Sequence, residues 1–114
     1  MGRDRKVFIG NINIENAEYY GYEAQKDQCI EECSELIQAL NKYSRACGKG
    51  KPTKMTKEEA LANVIEEIAD VEVMLEQMVH LLGIKRYDIS LVKVEKIRNT
   101  RNEIEREKYE QLGK

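Results

Sequence analysis

Two acidic segments on neighbouring predicted helices hold the residues of this chain that are best suited to chemistry. Residues 30–36 read Ile-Glu-Glu-Cys-Ser-Glu-Leu, and residues 65–71 read Ile-Glu-Glu-Ile-Ala-Asp-Val. In both, an apolar residue precedes two glutamates, two small or apolar residues, a further acid and a second apolar residue. At about 100° of rotation per residue, each segment places two acids spaced i,i+3 on one flank of its apolar stripe. These acid pairs are Glu32 with Glu35 and Glu67 with Asp70.

The two acid pairs predict a site for a divalent cation. If the two helices pack antiparallel, the four carboxylates converge beside the core, where like charges repel and burial adds a desolvation cost. A hard cation relieves both costs, and an oxygen cage with open positions suits Mg²⁺, with Mn²⁺ as a substitute. A di-iron centre is disfavoured because it uses Glu-x-x-His pairs, and Glu35 and Asp70 stand where the histidines would be needed. Either acid pair alone is typical of a solvated helix face, since the chain has 21 acidic residues.

The first half of the chain predicts an arm, a long helix and a connector. Residues 1–15 are expected to form a short irregular N-terminal arm. From about Asn16 to about Cys47, apolar residues recur at steps of three and four, which is the period of an α-helix. A break near residues 20–22 would divide this helix in two. Residues 47–56 include two glycines, a proline and three lysines, and therefore predict a flexible basic connector.

The second half predicts two further long helices. Thr56 and Glu59 match a capping box at the start of the second, and Gly83 supplies the left-handed residue that ends it. Asp88 is expected to cap the third helix. That helix should fray into a charged, solvated tail at residues 105–114.

The composition agrees with a small helical bundle. The 114 residues include one proline and no tryptophan, and 35% of them are charged although the net charge is only −2. We therefore predict a single domain over residues 1–114. It should be all-α, a four-helix-type bundle of three long helices plus a short or broken N-terminal helix. Its modest core and exposed apolar stripes favour a homo-oligomer.

Several classes of protein and site are disfavoured. No apolar run approaches the ~20 residues of a membrane span, the N-terminus lacks the apolar stretch of a signal peptide, and a balanced charge disfavours nucleic-acid binding. Cys29 and Cys33 stand i,i+4 on a predicted helix, where a disulfide is awkward, and Cys47 makes the number of cysteines odd. Buried or half-buried free thiols in a reducing cytoplasm are expected. A zinc site is disfavoured because only His80 could add a ligand.

Taken together, the two acidic segments resemble the signature of the MazG-like, all-α nucleoside triphosphate pyrophosphatase superfamily. That signature is Glu-Glu-x-x-Glu on one helix and Glu-x-x-Asp on the next, and it stands here at residues 31–35 and 67–70. The stretch Glu-Leu-Ile-Gln-Ala-Leu at residues 35–40 is also typical of the family, as is a basic third helix. The resemblance covers roughly residues 18 to 101. The gap between the two halves is longer than usual through residues 46–55, so the connector is either a lid over substrate or slack.

The resemblance implies an Mg²⁺-dependent nucleotide pyrophosphohydrolase, which converts an NTP or dNTP and water into the monophosphate and pyrophosphate. Such enzymes sanitise the nucleotide pool or set dNTP levels, and homodimers or homotetramers fit the family. Carried over by residue, the resemblance implies that Glu32, Glu35, Glu67 and Asp70 hold the metal. Glu31 is implied to lie just outside them or to orient the attacking water, so the implied catalytic set is Glu31, Glu32 and Glu35.

A triphosphate also needs cations, and the predicted third helix offers them. Arg101 occupies a slot of the apolar stripe, where its guanidinium can bind phosphate oxygens bidentately. The alternative is an arginine that pairs with an acid of its own helix. Lys93 borders the same face, and Lys96 and Asn99 lie further round as weaker substrate-binding candidates. Gln28 lies upstream of the metal motif on its side of the helix and is a candidate for contact with base or ribose.

The sequence indicates the residues for recognition of the nucleobase less clearly. Gln25 shares the position of Gln28 relative to the metal motif, whereas His80 lies well beyond the second acid pair and is expected to be structural. Four tyrosines could stack on a nucleobase, although tyrosines on helix surfaces more commonly pack at interfaces. They are Tyr19, Tyr20, Tyr22 and Tyr87.

Two alternative functions stay open at this point. A relative on the same scaffold, such as a dimeric dUTPase or a phosphoribosyl-ATP pyrophosphohydrolase, would share the metal site and differ in the base pocket. A non-catalytic helical oligomerisation module would explain the amphipathic stripes. It would not explain two acid pairs that stand in one register beside those stripes.

Overall fold

Four α-helices make up the described part of the computed structural model, which covers residues 2–113 and the side chains of residues 5 and 8–113. Residues 2–113 contain no strand, so the all-α prediction is confirmed. Every helix among them is too short or too polar to span a bilayer. The helices are α1 (Gly2–Tyr20), α2 (Tyr22–Ala46), α3 (Lys57–Leu81) and α4 (Arg86–Leu112).

The helices form two compact units. Met1–Gly83 contains α1, α2 and α3, and Ile84–Lys114 contains α4. Within the first unit, α2 and α3 share the largest interface, and α1 packs on both of them. The single domain and the homo-oligomer expected from the sequence stay predictions.

The expected irregular arm is wrong, because residues 2–15 belong to α1, a helix of 19 residues. Met1, the first residue of that arm, lies outside the described residues. The helix was missed because the segment has no clear apolar stripe, and polar side chains attach it to α3. Asn13 Nδ2 donates a hydrogen bond to the Val73 carbonyl oxygen at 3.2 Å, and Ala17 is fully buried. The N-terminal helix is therefore longer than the short or broken one predicted.

Gly21 separates α1 from α2 and confirms the break predicted near residues 20–22. Its φ of 85° lies in the left-handed region, which glycine adopts without the steric penalty of a Cβ atom. α2 ends at Ala46 and is followed by the non-helical connector, as the glycines and the proline of residues 47–56 predicted.

The start and end of α3 agree with the sequence pattern. Thr56 is the N-cap, and its Oγ1 accepts a hydrogen bond from the Glu59 backbone N–H at 3.1 Å. The same hydroxyl donates to Glu59 Oε1 at 3.1 Å, so the Glu59 side chain reaches back to the hydroxyl of Thr56. The N-cap half of the predicted capping box is confirmed, whereas the reciprocal bond to the Thr56 backbone N–H is not among the described contacts. Gly83 follows the helix with a φ of 64°, the left-handed conformation that ends many helices.

Both ends of α4 differ from the prediction. The N-cap is Lys85 and not Asp88, which lies in the first turn, where its negative charge still suits the helix dipole. The expected frayed tail is also wrong, because α4 continues as an exposed helix to Leu112. Lys114, the last residue of that tail, lies outside the described residues.

Small side chains let α2 and α3 pack closely as an antiparallel pair. Gln25 contacts Gln77 at one end of the interface, and Glu35 lies close to Glu67 further along. The two helices α2 and α3 therefore run in opposite directions. Ala39 of α2 and Ala60 of α3 are 1% and 0% exposed. No large apolar side chain among the described ones is fully buried. The apolar core of this unit is therefore thin, and the interface leaves little room for added volume.

The buried side chain of Gln77 connects all three helices of the first unit. Its Nε2 donates to Asn13 Oδ1 of α1 at 2.8 Å, and its Oε1 accepts from Gln25 Nε2 of α2 at 2.7 Å. A buried amide is tolerated when its donor and acceptor are both used. Because these bonds need one relative placement of the helices, Gln77 specifies their register.

The small volume of Ala60 should be required for the packing of α2 on α3. We expect Ala60→Leu to lower the free energy of unfolding by about 1–3 kcal/mol, because the added side chain overpacks a closed interface. Ala62→Leu on the exposed side of the same helix should change it by less than about 0.5 kcal/mol. Urea denaturation of the two variants and the parent measures the difference. Equal effects of the two substitutions would show that the interface can expand.

Candidate metal centre

Three carboxylates from two helices meet beside the α2–α3 interface. Glu32 and Glu35 of α2 and Glu67 of α3 each place an oxygen within 4.8 Å of the other two. The i,i+3 spacing puts both α2 acids on one flank of that helix. Asp70, one turn after Glu67, lies close enough to Glu32 for their side chains to interact. We call these four residues the acid cluster.

The members of the acid cluster are half-buried, whereas the acids next to them in sequence, Glu31 and Glu66, are exposed. This difference follows the helical arrangement predicted from the two segments. Glu31 still lies near the cluster, since its charge contributes to the raised pKa of Glu35.

Two oxygens of the acid cluster are buried without a partner. Glu32 Oε2 and Glu67 Oε2 receive no hydrogen bond from the described residues. The described ion pairs of the first unit lie elsewhere, where Lys26 and His80 pair with acids outside the cluster. Burying an anionic oxygen without a donor or a cation is costly. A divalent cation would offset this cost.

Repulsion and burial raise the pKa of three members of the acid cluster. The charge of Glu32 is the main cause that raises the pKa of Glu35. Desolvation by burial is the main cause that raises the pKa of Glu67, and the charge of Glu35 adds to it. Burial followed by the charge of Glu32 raises the pKa of Asp70. A divalent cation would favour the ionised form of each group and reverse these shifts.

The donor set fits Mg²⁺ or Mn²⁺. All of the converging atoms are carboxylate oxygens, the hard ligands that these cations prefer. Glu32 and Glu67 also each have one buried oxygen that receives no hydrogen bond from the described residues. Cys33 follows Glu32 in sequence but is not among the converging ligands. The predicted metal ligands are therefore brought together by the fold, and their role as ligands stays a prediction.

Gln28 lies at the edge of the acid cluster, where its Nε2 donates to Glu32 Oε1 at 2.8 Å. The sequence placed Gln28 near the site but did not identify this contact. The i,i+4 spacing of the two residues is the signal that could have revealed it, because side chains one turn apart on a helix are neighbours.

The candidates for phosphate binding all lie on α4 and are exposed: Lys93, Lys96, Asn99 and Arg101. Lys93 and Lys96 lie on one stretch of the exposed surface of this helix, and Lys96 and Arg101 lie on the next. Arg101 Nη1 lies 3.3 Å from Glu105 Oε1, so the pairing with an acid of its own helix is observed. Phosphate binding by these residues stays a prediction.

The remaining candidates have structural contacts or exposed positions. His80 Nε2 lies 2.8 Å from Glu18 Oε1 of α1, so this side chain connects α3 with α1, and its structural role stays a prediction. Gln25 donates a hydrogen bond to Gln77, so its side chain is used in a contact between α2 and α3. Tyr19 and Tyr20 make an edge-to-face contact with ring centroids 5.0 Å apart.

The three cysteines are free, as expected from their number and spacing. Cys29 is buried and Cys33 is half-buried. The expectation of burial is wrong for Cys47, which is exposed because it follows the last residue of α2 and enters the connector.

The chain matches no family model, no curated protein and no solved structure in the three comparisons made. The chemistry of the acid cluster is therefore inferred from its residues and their geometry. A group of close carboxylates with unpartnered oxygens can bind a divalent cation, and a bound cation can engage phosphate oxygens.

Glu35→Gln should stabilise the metal-free protein at neutral pH, and the gain should shrink in acid. The folded-state pKa of Glu35 is raised, so its ionised form costs stability above that pKa. Protonation removes this cost as the pH falls towards about 4.3, the ordinary value for glutamate. Thermal melting in EDTA from about pH 8 to about pH 4.5 would measure the difference between variant and parent at each pH.

Glu66→Gln is the matched control for this series, because Glu66 is an exposed glutamate outside the acid cluster. Its melting temperature should follow that of the parent across the range. A stabilisation by Glu35→Gln that is the same at every pH would contradict a raised pKa.

Proposed function

We propose that this protein is an Mg²⁺-dependent nucleoside triphosphate pyrophosphohydrolase, which converts an NTP or dNTP and water into the monophosphate and pyrophosphate. The observation that carries the proposal is the convergence of Glu32, Glu35 and Glu67 within 4.8 Å. Within this group, Glu32 Oε2 and Glu67 Oε2 are buried without a hydrogen bond from the described residues, which favours a cation as their ligand. The reaction class comes from the resemblance of the same residues to the MazG-like signature.

The acid cluster would hold the metal, with Mg²⁺ as the physiological ion and Mn²⁺ as a substitute. When bound, the cation would neutralise phosphate charge and polarise the phosphoryl oxygens. The carboxylates of Glu35, Glu67 and Asp70 would become ionised on binding, which releases any proton that their raised pKa values retain.

Besides holding the metal, the chain's own residues have two tasks in this reaction. Water adds to the α-phosphorus, the bond from that phosphorus to the bridging oxygen breaks, and pyrophosphate leaves. Glu31, exposed beside the cluster, is proposed to orient the attacking water and accept its proton. Lys93, Lys96 and Arg101 are proposed to bind phosphate oxygens, with Asn99 as a further hydrogen-bond donor.

Arg101 can make this contact at small cost. Its present partner is Glu105, four residues further along α4, and both side chains are more than half exposed. An exposed pair of this kind stabilises a helix by only about 0.5 kcal/mol. A phosphate with two or more negative charges would compete for the guanidinium effectively.

We also propose a homo-oligomer, either a homodimer or a homotetramer. Ile30 and Ile37 of α2 and Ile65 of α3 are each 62% exposed, and Ile97 of α4 is 66% exposed. A chain of this size with a thin core gains little from burial within one copy. Packing the stripes of one copy against another would remove this apolar surface from water.

A reducing cytoplasm is the proposed location. All three cysteines are free, and Cys47 is exposed, so it would be open to oxidation elsewhere. The proposed substrates, NTPs and dNTPs, would be met in the same compartment.

The proposed reaction predicts metal-dependent pyrophosphate release that requires the acid cluster. We expect activity with Mg²⁺ and none in EDTA on a panel of NTPs and dNTPs. Glu67→Gln should lower kcat/KM by more than the roughly 100-fold that loss of a supporting residue costs. Glu66→Gln, its exposed neighbour, should stay close to the parent. Including dUTP and phosphoribosyl-ATP in the panel distinguishes the proposed enzyme from a dUTPase and from a phosphoribosyl-ATP pyrophosphohydrolase on the same scaffold.

A melting experiment with and without Mg²⁺ or Mn²⁺ accompanies this assay. Stabilisation by metal without turnover would point to another pyrophosphate ester as substrate. If neither metal stabilises the protein and no substrate is cleaved, the enzyme proposal is wrong and a helical oligomerisation module is the better interpretation.

The oligomer predicts a molecular mass of two or four chains by light scattering at micromolar concentration. Ile37→Lys should lower that mass, because it puts a charge on the exposed apolar stripe of α2. Gln38→Lys changes the next exposed residue, and the mass should be unchanged. A parent protein that is monomeric would contradict the proposal.

A further inference from the structure

The two carboxylate oxygens of Glu32 have different surroundings. Oε1 accepts a hydrogen bond from Gln28 Nε2 at 2.8 Å. Oε2 is buried and has no partner among the described residues. Among the described residues, one oxygen of Glu32 therefore has a hydrogen-bond donor and the other has none.

The Gln28 contact follows from helix geometry. Side chains on a helix lean towards its N-terminus, so Glu32 meets the residue one turn earlier. Both residues lie inside α2, which fixes the spacing of their backbones. The contact needs no neighbouring helix and is available before any cation binds.

Electrostatic repulsion within the acid cluster favours rotation of the Glu32 side chain out of it. Its charge acts on both Glu35 and Asp70, and rotation of its side chain towards solvent would relieve this repulsion. The amide of Gln28 opposes such a rotation, because leaving the cluster would break the bond to Oε1. An amide also donates without adding charge, so the negative potential that attracts a cation is kept. A lysine at this position would instead neutralise Glu32 and compete with the metal.

We propose that Gln28 is a positioning residue of the metal centre, which holds Oε1 of Glu32 so that Oε2 stays available in the acid cluster. This inference rests on the proposed function. It assigns to Gln28 a role in metal binding in place of the contact with base or ribose expected from the sequence. Gln28 would then affect the affinity for the cation even when no nucleotide is present.

The test is Mn²⁺ binding to the full chain without nucleotide, measured by calorimetry and by the loss of free-ion signal in electron paramagnetic resonance. Gln28→Met keeps a side chain of similar length and removes the donor. We expect it to weaken Mn²⁺ binding by about 10- to 100-fold, as is usual when a residue that orients a ligand is lost. Gln38→Met, an exposed glutamine on the same helix, should bind Mn²⁺ like the parent.

Urea denaturation in EDTA separates positioning from a general effect on the helix. Because Gln28 is exposed, Gln28→Met should leave the midpoint unchanged while Mn²⁺ affinity falls. An equal loss of affinity in Gln38→Met would overturn the proposal. So would unchanged Mn²⁺ affinity in Gln28→Met together with a raised KM for nucleotide, since that result would assign Gln28 to substrate contact.

The parent protein distinguishes failure of this inference from failure of the proposed function. If the parent binds Mn²⁺ and Gln28→Met binds it equally well, only the positioning role is wrong. If the parent binds no Mn²⁺, the metal centre itself is wrong, and both proposals fail.

Discussion

Like charges are held together in this molecule by the close antiparallel packing of α2 on α3. Ala39 and Ala60 are buried at that interface, and side chains this small keep the two helices near each other. The acid cluster sits beside the interface on both helices, so the packing holds the backbones that carry its carboxylates close together. Repulsion and desolvation raise the pKa of three of these carboxylates. A bound divalent cation would turn this unfavourable group into a stabilising one.

Amide side chains supply most of the specific polar contacts around this interface. Gln77 bonds to one residue of α1 and one of α2, and Gln28 bonds to Glu32. An amide satisfies a donor or an acceptor without changing the charge of the site. These bonds can therefore fix the register of the helices and the orientation of a carboxylate while the negative potential of the acid cluster is preserved. Lysine or arginine in the same places would neutralise the acids.

Because the apolar core is thin, the stability of the fold is expected to depend on assembly with a second copy. Apolar residues that would form the centre of a larger domain, such as Ile37 and Ile65, are mostly exposed. Helices of this length gain most of their stability from packing an apolar face and not from intrinsic propensity. A second copy and a bound cation would each bind only the folded chain, and so each would shift the folding equilibrium towards it. In the proposed enzyme, folding, assembly and metal binding would be coupled for this reason.

The sequence by itself determined the features that depend on local interactions: the all-α class, the break at Gly21, the N-cap at Thr56 and the flank of each helix that carries its acids. Tertiary structure alone decided that residues 2–15 are helical, because the hydrogen bonds of Asn13 with α3 and the burial of Ala17 replace the missing apolar stripe. It also decided which oxygens of the acid cluster are buried without a partner, since that depends on how α2 and α3 meet. Helix periodicity gives the direction of a side chain, whereas its burial and its partners are set by the neighbouring helix.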